Sequence, residues 1–78
     1  MKNGIFMVTD LTTDVKIPFS LDHYAYARPL LIGGQEKGTI LFGAGLPREG
    51  VQVQEPVAKV SAAVETWNSL KYSALNTR

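Results

Sequence analysis

Short strand-forming runs, some alternating apolar and polar with a period of two and some apolar throughout, are separated by turn formers over the first two thirds of this chain, and a helical period follows. Ile5-Phe6-Met7-Val8-Thr9 is rich in β-formers and predicts a first strand. Asp10-Leu11-Thr12-Thr13-Asp14 supplies turn formers whose short side chains can bond their own backbone. Val15-Lys16-Ile17 predicts a short strand stopped by Pro18, which lacks the donor a central ladder needs. Ser20-Leu21-Asp22-His23 predicts a tight turn or one helical turn, with Ser20 placed to cap it. Tyr24-Ala25-Tyr26-Ala27-Arg28 alternates again, Pro29 interrupts, and Leu30-Leu31-Ile32 resumes the strand.

Gly33–Gly38 has the composition of a hairpin loop, Thr39-Ile40-Leu41-Phe42 that of the most apolar strand, and residues 43–50 that of a second loop. Val51-Gln52-Val53-Gln54 gives the cleanest alternation, valines inward and glutamines outward. Helix signals meet at Glu55-Pro56. Proline suits a first helical position, and the acid before it suits the positive end of the helix dipole. Val57, Val60, Val64 and Trp67, with Ala63 beside them, then form one apolar stripe opposite Lys59, Glu65 and Asn68. These patterns predict one α+β domain over residues 1–78. A meander-like antiparallel sheet of four to five strands spans about 5–54, a helix packs on one face over about 56–70, and the tail from Lys71 to Arg78 frays.

Faces follow from the alternation. Val15, Ile17, Val51 and Val53 point toward the helix, with Ala25 and Ala27 small enough to admit Trp67. Tyr24, Tyr26 and Arg28 then project together on the opposite face, which a single helix leaves open. Tyrosine and arginine are enriched at interface centres because they bury much area and keep a polar handle. These three are the expected partner-binding residues.

Composition sharpens that expectation. With 78 residues the core is small, and without cysteine there are neither disulfides nor thiolate metal sites. One histidine builds no multi-His centre, so no metal or cofactor is expected. A partner subunit is the remaining way to stabilise so small a fold, and a homodimer is expected, with another protein as the alternative partner. The net charge of +1 is spread along the chain, which does not favour nucleic acid. No run reaches the roughly 18–20 apolar residues of a membrane span. A cytoplasmic protein is expected.

Candidate chemistry is sparse. His23 beside Asp22 is the only acid–base residue with an ordinary pKa near neutrality, yet no motif marks a nucleophile, and a non-enzymatic role is expected. Gly43-Ala44-Gly45 followed by Arg48 matches no phosphate-loop spacing and leads to a strand. Asp10 and Asp14 are too few for a calcium loop and read as turn caps.

Two resemblances remain. Val8-Thr9-Asp10-Leu11-Thr12-Thr13, Val15-Lys16-Ile17, Gly38-Thr39-Ile40-Leu41-Phe42 and Val51-Gln52-Val53-Gln54-Glu55-Pro56-Val57 resemble the small bacterial flagellar and swarming-motility proteins over about residues 8–67. This chain has longer loops at 29–37 and 43–50, and the resemblance transfers no catalytic residue. Ile40-Leu41-Phe42-Gly43, Leu46-Pro47-Arg48-Glu49 and Val51-Gln52-Val53 are similar to the carbon-storage-regulator type of RNA-binding dimer, without its basic opening strand. That likeness implies an alternative, an RNA-binding module using Arg28, Lys37 and Arg48.

Overall fold

The computed structural model of the chain describes residues 4–76, with side chains through Ser73. Strand β1 (Ile5–Thr9) pairs antiparallel with β2 (Lys16–Ser20), Val8 opposite Ile17 and Phe6 opposite Phe19. A 3-10 turn (Leu21–His23) leads into β3 (Tyr24–Ile32), β4 (Gln35–Gly43) and β5 (Val51–Val53), an antiparallel meander. Helix α1 (Val57–Asn76) follows. The architecture is α+β. Its five strands are divided between sheets of two and three, where the sequence predicts one sheet of four to five.

The division has a physical cause. At the end of β1 the backbone leaves β2 and turns to β5. Asp10 bridges Val53, Leu11 N–H donates to Gln52 C=O at 3.0 Å, and Gln54 N–H donates to Thr9 C=O at 2.8 Å. This short crossing joins the backbones of the two sheets.

Both sheets and the helix close on one core of Val8, Phe19, Leu21, Leu41, Val53, Val60 and Ala63. The predicted stripe packs as its spacing requires: Val60 and Ala63 are buried, and Val64 and Trp67 pack against them. A fully buried valine such as Val60 contributes about 1.5–3 kcal/mol.

Several boundaries differ from the sequence reading. β2 runs through Pro18 to Ser20, because β2 pairs only with β1 and an edge strand tolerates a residue without an N–H. Pro29 sits inside β3 for the same reason. Val15 is 55% exposed and does not join Ile17 in the core, since the turn closes on it with Asp10 N–H donating to Val15 C=O. Ser20 occupies the capping position of the 3-10 turn but makes no side-chain cap. The hairpin turn is only Gly33-Gly34, both at positive φ (61° and 80°), so Gln35–Gly38 belong to β4. The helix continues through residues 71–76, where fraying is expected; Thr77 and Arg78 lie outside the described residues.

Glutamate does meet the helix dipole, but the residue differs. Val57 N–H donates to the Glu36 carboxylate of β4 at 2.9 Å. Glu55, the acid beside Pro56, turns instead to Thr9.

Candidate interaction surface

One β-bulge decides which side chains share the open face. Tyr24 pairs with Gly43 and Tyr26 with Phe42, so Ala25 is an extra residue on β3. The extra residue shifts the alternation by one. Tyr24 therefore packs against the core together with Ala27, Ala25 is exposed, and Tyr26 emerges on the far side. The sequence reading placed Tyr24, Tyr26 and Arg28 on one face and both alanines on the other. The structure keeps Tyr26 and Arg28 together, moves Tyr24 inward and exposes Ala25.

On the far face Tyr26 stacks on Phe42, ring centroids 4.5 Å apart and planes 10° from parallel. Tyr26 stays 52% exposed, so the pair presents a rigid aromatic surface to solvent. Arg28 pairs with Ile40, and Ile40 with Gln52 of β5. Gly50 completes the edge at a φ of 86°. A Cβ there would lie 2.6 Å from Ile40 Cγ2 and 3.0 Å from Phe42 Cε1. The centre of the face is thus Tyr26, Phe42 and Ile40, with Arg28 on one side and Gly50 on the other. Ile40 and Phe42 were legible as a second apolar face of β4; their partnership with Tyr26 depends on the bulge.

The remaining candidates are dispersed. Lys37 is the unpaired residue where the register slips from Leu30–Gly38 to Leu31–Glu36, near the hairpin turn. Arg48 lies in the loop after Gly43, toward the other end of the sheet. With Arg28 between them, the three cations form no single cluster.

His23 is exposed, and among the described residues its ring makes no hydrogen bond. Its neighbour Asp22 is engaged elsewhere: Trp67 Nε1–H donates to Oδ1 at 2.9 Å and Lys71 Nζ at 2.8 Å. Those two donations, Lys71 first, hold the Asp22 carboxyl below its ordinary value. Lys71 also lies 5.6 Å from the Trp67 ring centroid. This cluster fastens the 3-10 turn to the helix and leaves Asp22 with no hydrogen bond to His23.

Asp10 behaves as a turn cap. One carboxylate oxygen accepts the Thr13 N–H at 2.8 Å, the Thr13 hydroxyl at 3.0 Å and the Thr12 N–H at 3.1 Å. Thr13 is the main cause of its lowered pKa. Asp14, at a φ of 62°, accepts from Gln54 Nε2 at 2.7 Å. Among the described residues no three His, Cys, Asp or Glu side chains converge on a metal position. No helix among them is long and apolar enough to cross a membrane. A shallow groove of about 320 Å³ along the helix is lined by Glu65, Thr66, Ser69, Leu70 and Ser73. Comparison with protein-family models, with curated proteins and with solved structures gives no match to this chain.

Proposed function

We propose that this chain is a small non-enzymatic regulatory or accessory protein that works through protein–protein contact as a homo-oligomer. Its contact surface is the open face of the three-stranded sheet. The observation that carries the reading is the Tyr26–Phe42 stack, half exposed on the face opposite the core. Aromatic side chains held rigid before contact lose little entropy on binding, which is why they dominate interface energies. Arg28 beside them supplies a polar handle at the rim.

RNA binding is the alternative, because exposed aromatics on a sheet also stack on bases. The dispersal of Arg28, Lys37 and Arg48 favours the protein reading. An enzyme built on His23 has the least support, since Asp22 is already held by Trp67 and Lys71.

Size-exclusion chromatography with light scattering tests the proposal at tens of micromolar. The expected result is a dimeric mass for the wild type and a shift toward monomer for Tyr26→Ala with an unchanged far-UV spectrum. A monomeric wild type overturns it.

A further inference from the structure

The tip of the β3–β4 hairpin lies beyond both the core and the Tyr26 stack. β5 pairs with β4 over Thr39–Leu41, so past Gly38 the hairpin is a two-stranded ribbon. Its end is apolar: Pro29-Leu30-Leu31-Ile32-Gly33-Gly34 contains no polar side chain. Leu31 is 59% exposed and Ile32 55%. Among the described residues, a Cβ added to Gly33 or Gly34 would meet nothing within 4 Å, so the turn stands clear of the rest of the chain.

Neighbours along a strand point to opposite faces, so Leu31 and Ile32 flank the ribbon. The register agrees. Leu31 is opposite Glu36, whose carboxylate reaches the helix at Val57, and Ile32 is opposite Gln35. A flat protein surface covers one face of such a ribbon and leaves the other in water, whereas a lipid surface closes round both. From Leu31 to the turn the ribbon advances about 7–10 Å at roughly 3.3 Å per residue. Interfacial elements seat at about that depth, roughly 5–10 Å into the headgroup and acyl boundary. Such shallow seating leaves the strand edges in the hydrated headgroup layer, where their backbone groups keep partners.

Charge at the tip fits the same occupant. Lys37, the bulged residue of β4, lies just above Leu31, and Arg28 lies three residues back along β3; both are exposed. Among the described residues neither makes an ion pair. Glu36 is the hairpin's one acid, and its carboxylate faces the positive end of helix α1. We propose that this tip is a membrane-surface site, with Leu31 and Ile32 seated in the interface of an anionic bilayer and Lys37, then Arg28, above them toward the lipid phosphates. The seating is peripheral: among the described residues no helix is long and apolar enough to cross a membrane. It uses a different surface from the Tyr26–Phe42 stack and does not depend on it.

The test is co-sedimentation of the full chain with vesicles of phosphatidylcholine alone and of phosphatidylcholine with a quarter phosphatidylserine. Binding is expected on the mixed vesicles. The double variant Leu31→Ser/Ile32→Ser should lose roughly tenfold or more of it. Lys37→Glu should lose roughly fivefold or more, and Tyr26→Ala none. Far-UV spectra establish that each variant folds. A wild type that stays in the supernatant with both vesicles overturns the proposal and leaves the tip to a protein cleft. Binding that survives the double variant also overturns it, as a diffuse attraction of the whole chain. Should the double variant fail to fold, a fluorescent label decides, since the chain has no cysteine of its own. A polarity-sensitive dye on Ile32→Cys should shift to the blue with mixed vesicles, and the same dye on Ala44→Cys in the exposed loop should not. Equal shifts, or none, overturn the site.

Discussion

Thr9 gives both of its donors to Glu55: its backbone N–H reaches Oε1 and its hydroxyl reaches Oε2, each at 2.8 Å. The two residues are far apart in the chain, and their contact ties the end of β1 to the segment joining β5 to the helix. Burial alone would raise the Glu55 pKa. The two Thr9 donations, with help from Lys59, outweigh it and leave the carboxyl below its ordinary value of 4.5. A lowered folded-state pKa stabilises the fold above the unfolded value and loses that contribution as pH falls through the folded value. Urea midpoints of the wild type should therefore decline as pH drops below about 4.5, and part of that decline should vanish in Glu55→Gln. Glu55→Ala, which leaves the Thr9 N–H without its acceptor, should cost about 1–3 kcal/mol at neutral pH. A Glu55→Ala protein as stable as wild type at neutral pH would show that the contact is incidental.

Thr39 serves the same junction from below. Its side chain is fully buried, and its hydroxyl donates to the Glu55 carbonyl at 2.6 Å. Valine has nearly the same shape but strands that carbonyl. Thr39→Val should lose about 1–2 kcal/mol. Thr39→Ser keeps the donor and opens a methyl-sized gap, worth roughly 1 kcal/mol. Chemical denaturation of both variants separates the hydrogen bond from the packing; a Thr39→Val protein at wild-type stability would contradict the assignment.

The elements were legible where one local signal sufficed. A run of β-formers located β1, alternation located β5, and the Val60–Ala63–Val64–Trp67 stripe located the face of the helix. What the sequence does not show is any feature set by contact between distant segments. The bulge at Ala25 leaves the Tyr-Ala-Tyr-Ala pattern intact while reversing which face Tyr24 occupies, so periodicity misassigns it. Pro18 signals the end of a strand unless it is known that β2 is an edge. Glu36 meets Val57, and Thr9 meets Glu55, only after the sheets have assembled. Of the candidate surface, Tyr26 and Arg28 were therefore placed together from sequence, and Ile40 and Phe42 on a second apolar face of β4. The stacking of Tyr26 on Phe42 required the register.

Gly4 shows a close approach that its sequence context does not announce. It sits at a φ of 68°, and an added Cβ would lie 2.7 Å from both Cε2 and Cζ2 of Trp67. The indole cannot retreat freely, since its N–H is committed to Asp22. Gly4→Ala therefore combines backbone strain with a clash and should destabilise by about 1–3 kcal/mol. Thermal melts followed by tryptophan fluorescence should show a lower midpoint and a shifted emission maximum. An unchanged spectrum and midpoint would mean that the ring moves aside at no cost.

Glu36 caps the helix from another element, so its loss should act on both. Removing the acceptor at the first helical N–H typically costs about 1 kcal/mol. Glu36→Ala should lower the urea midpoint by that amount and speed amide exchange in the first turn of α1 together with the Gln35–Gly38 end of the hairpin. Exchange that accelerates in the helix alone would separate the cap from the hairpin.

Salt dependence distinguishes the two uses of the aromatic face. If Arg28, Lys37 and Arg48 each neutralised one phosphate of a single strand, the slope of log affinity against log salt would be about −2. Affinity would then fall roughly 20-fold between about 50 and 200 mM salt. Filter binding of a short single-stranded RNA at those two concentrations is expected to show no saturable retention at either, because the three cations do not line one track. Retention at the lower salt with the steep slope, lost in Tyr26→Ala, would transfer the face from a protein partner to RNA. Retention that survives Tyr26→Ala would instead mark a diffuse attraction to the net charge of +1. The stack of Tyr26 on Phe42 would then remain available for the second copy.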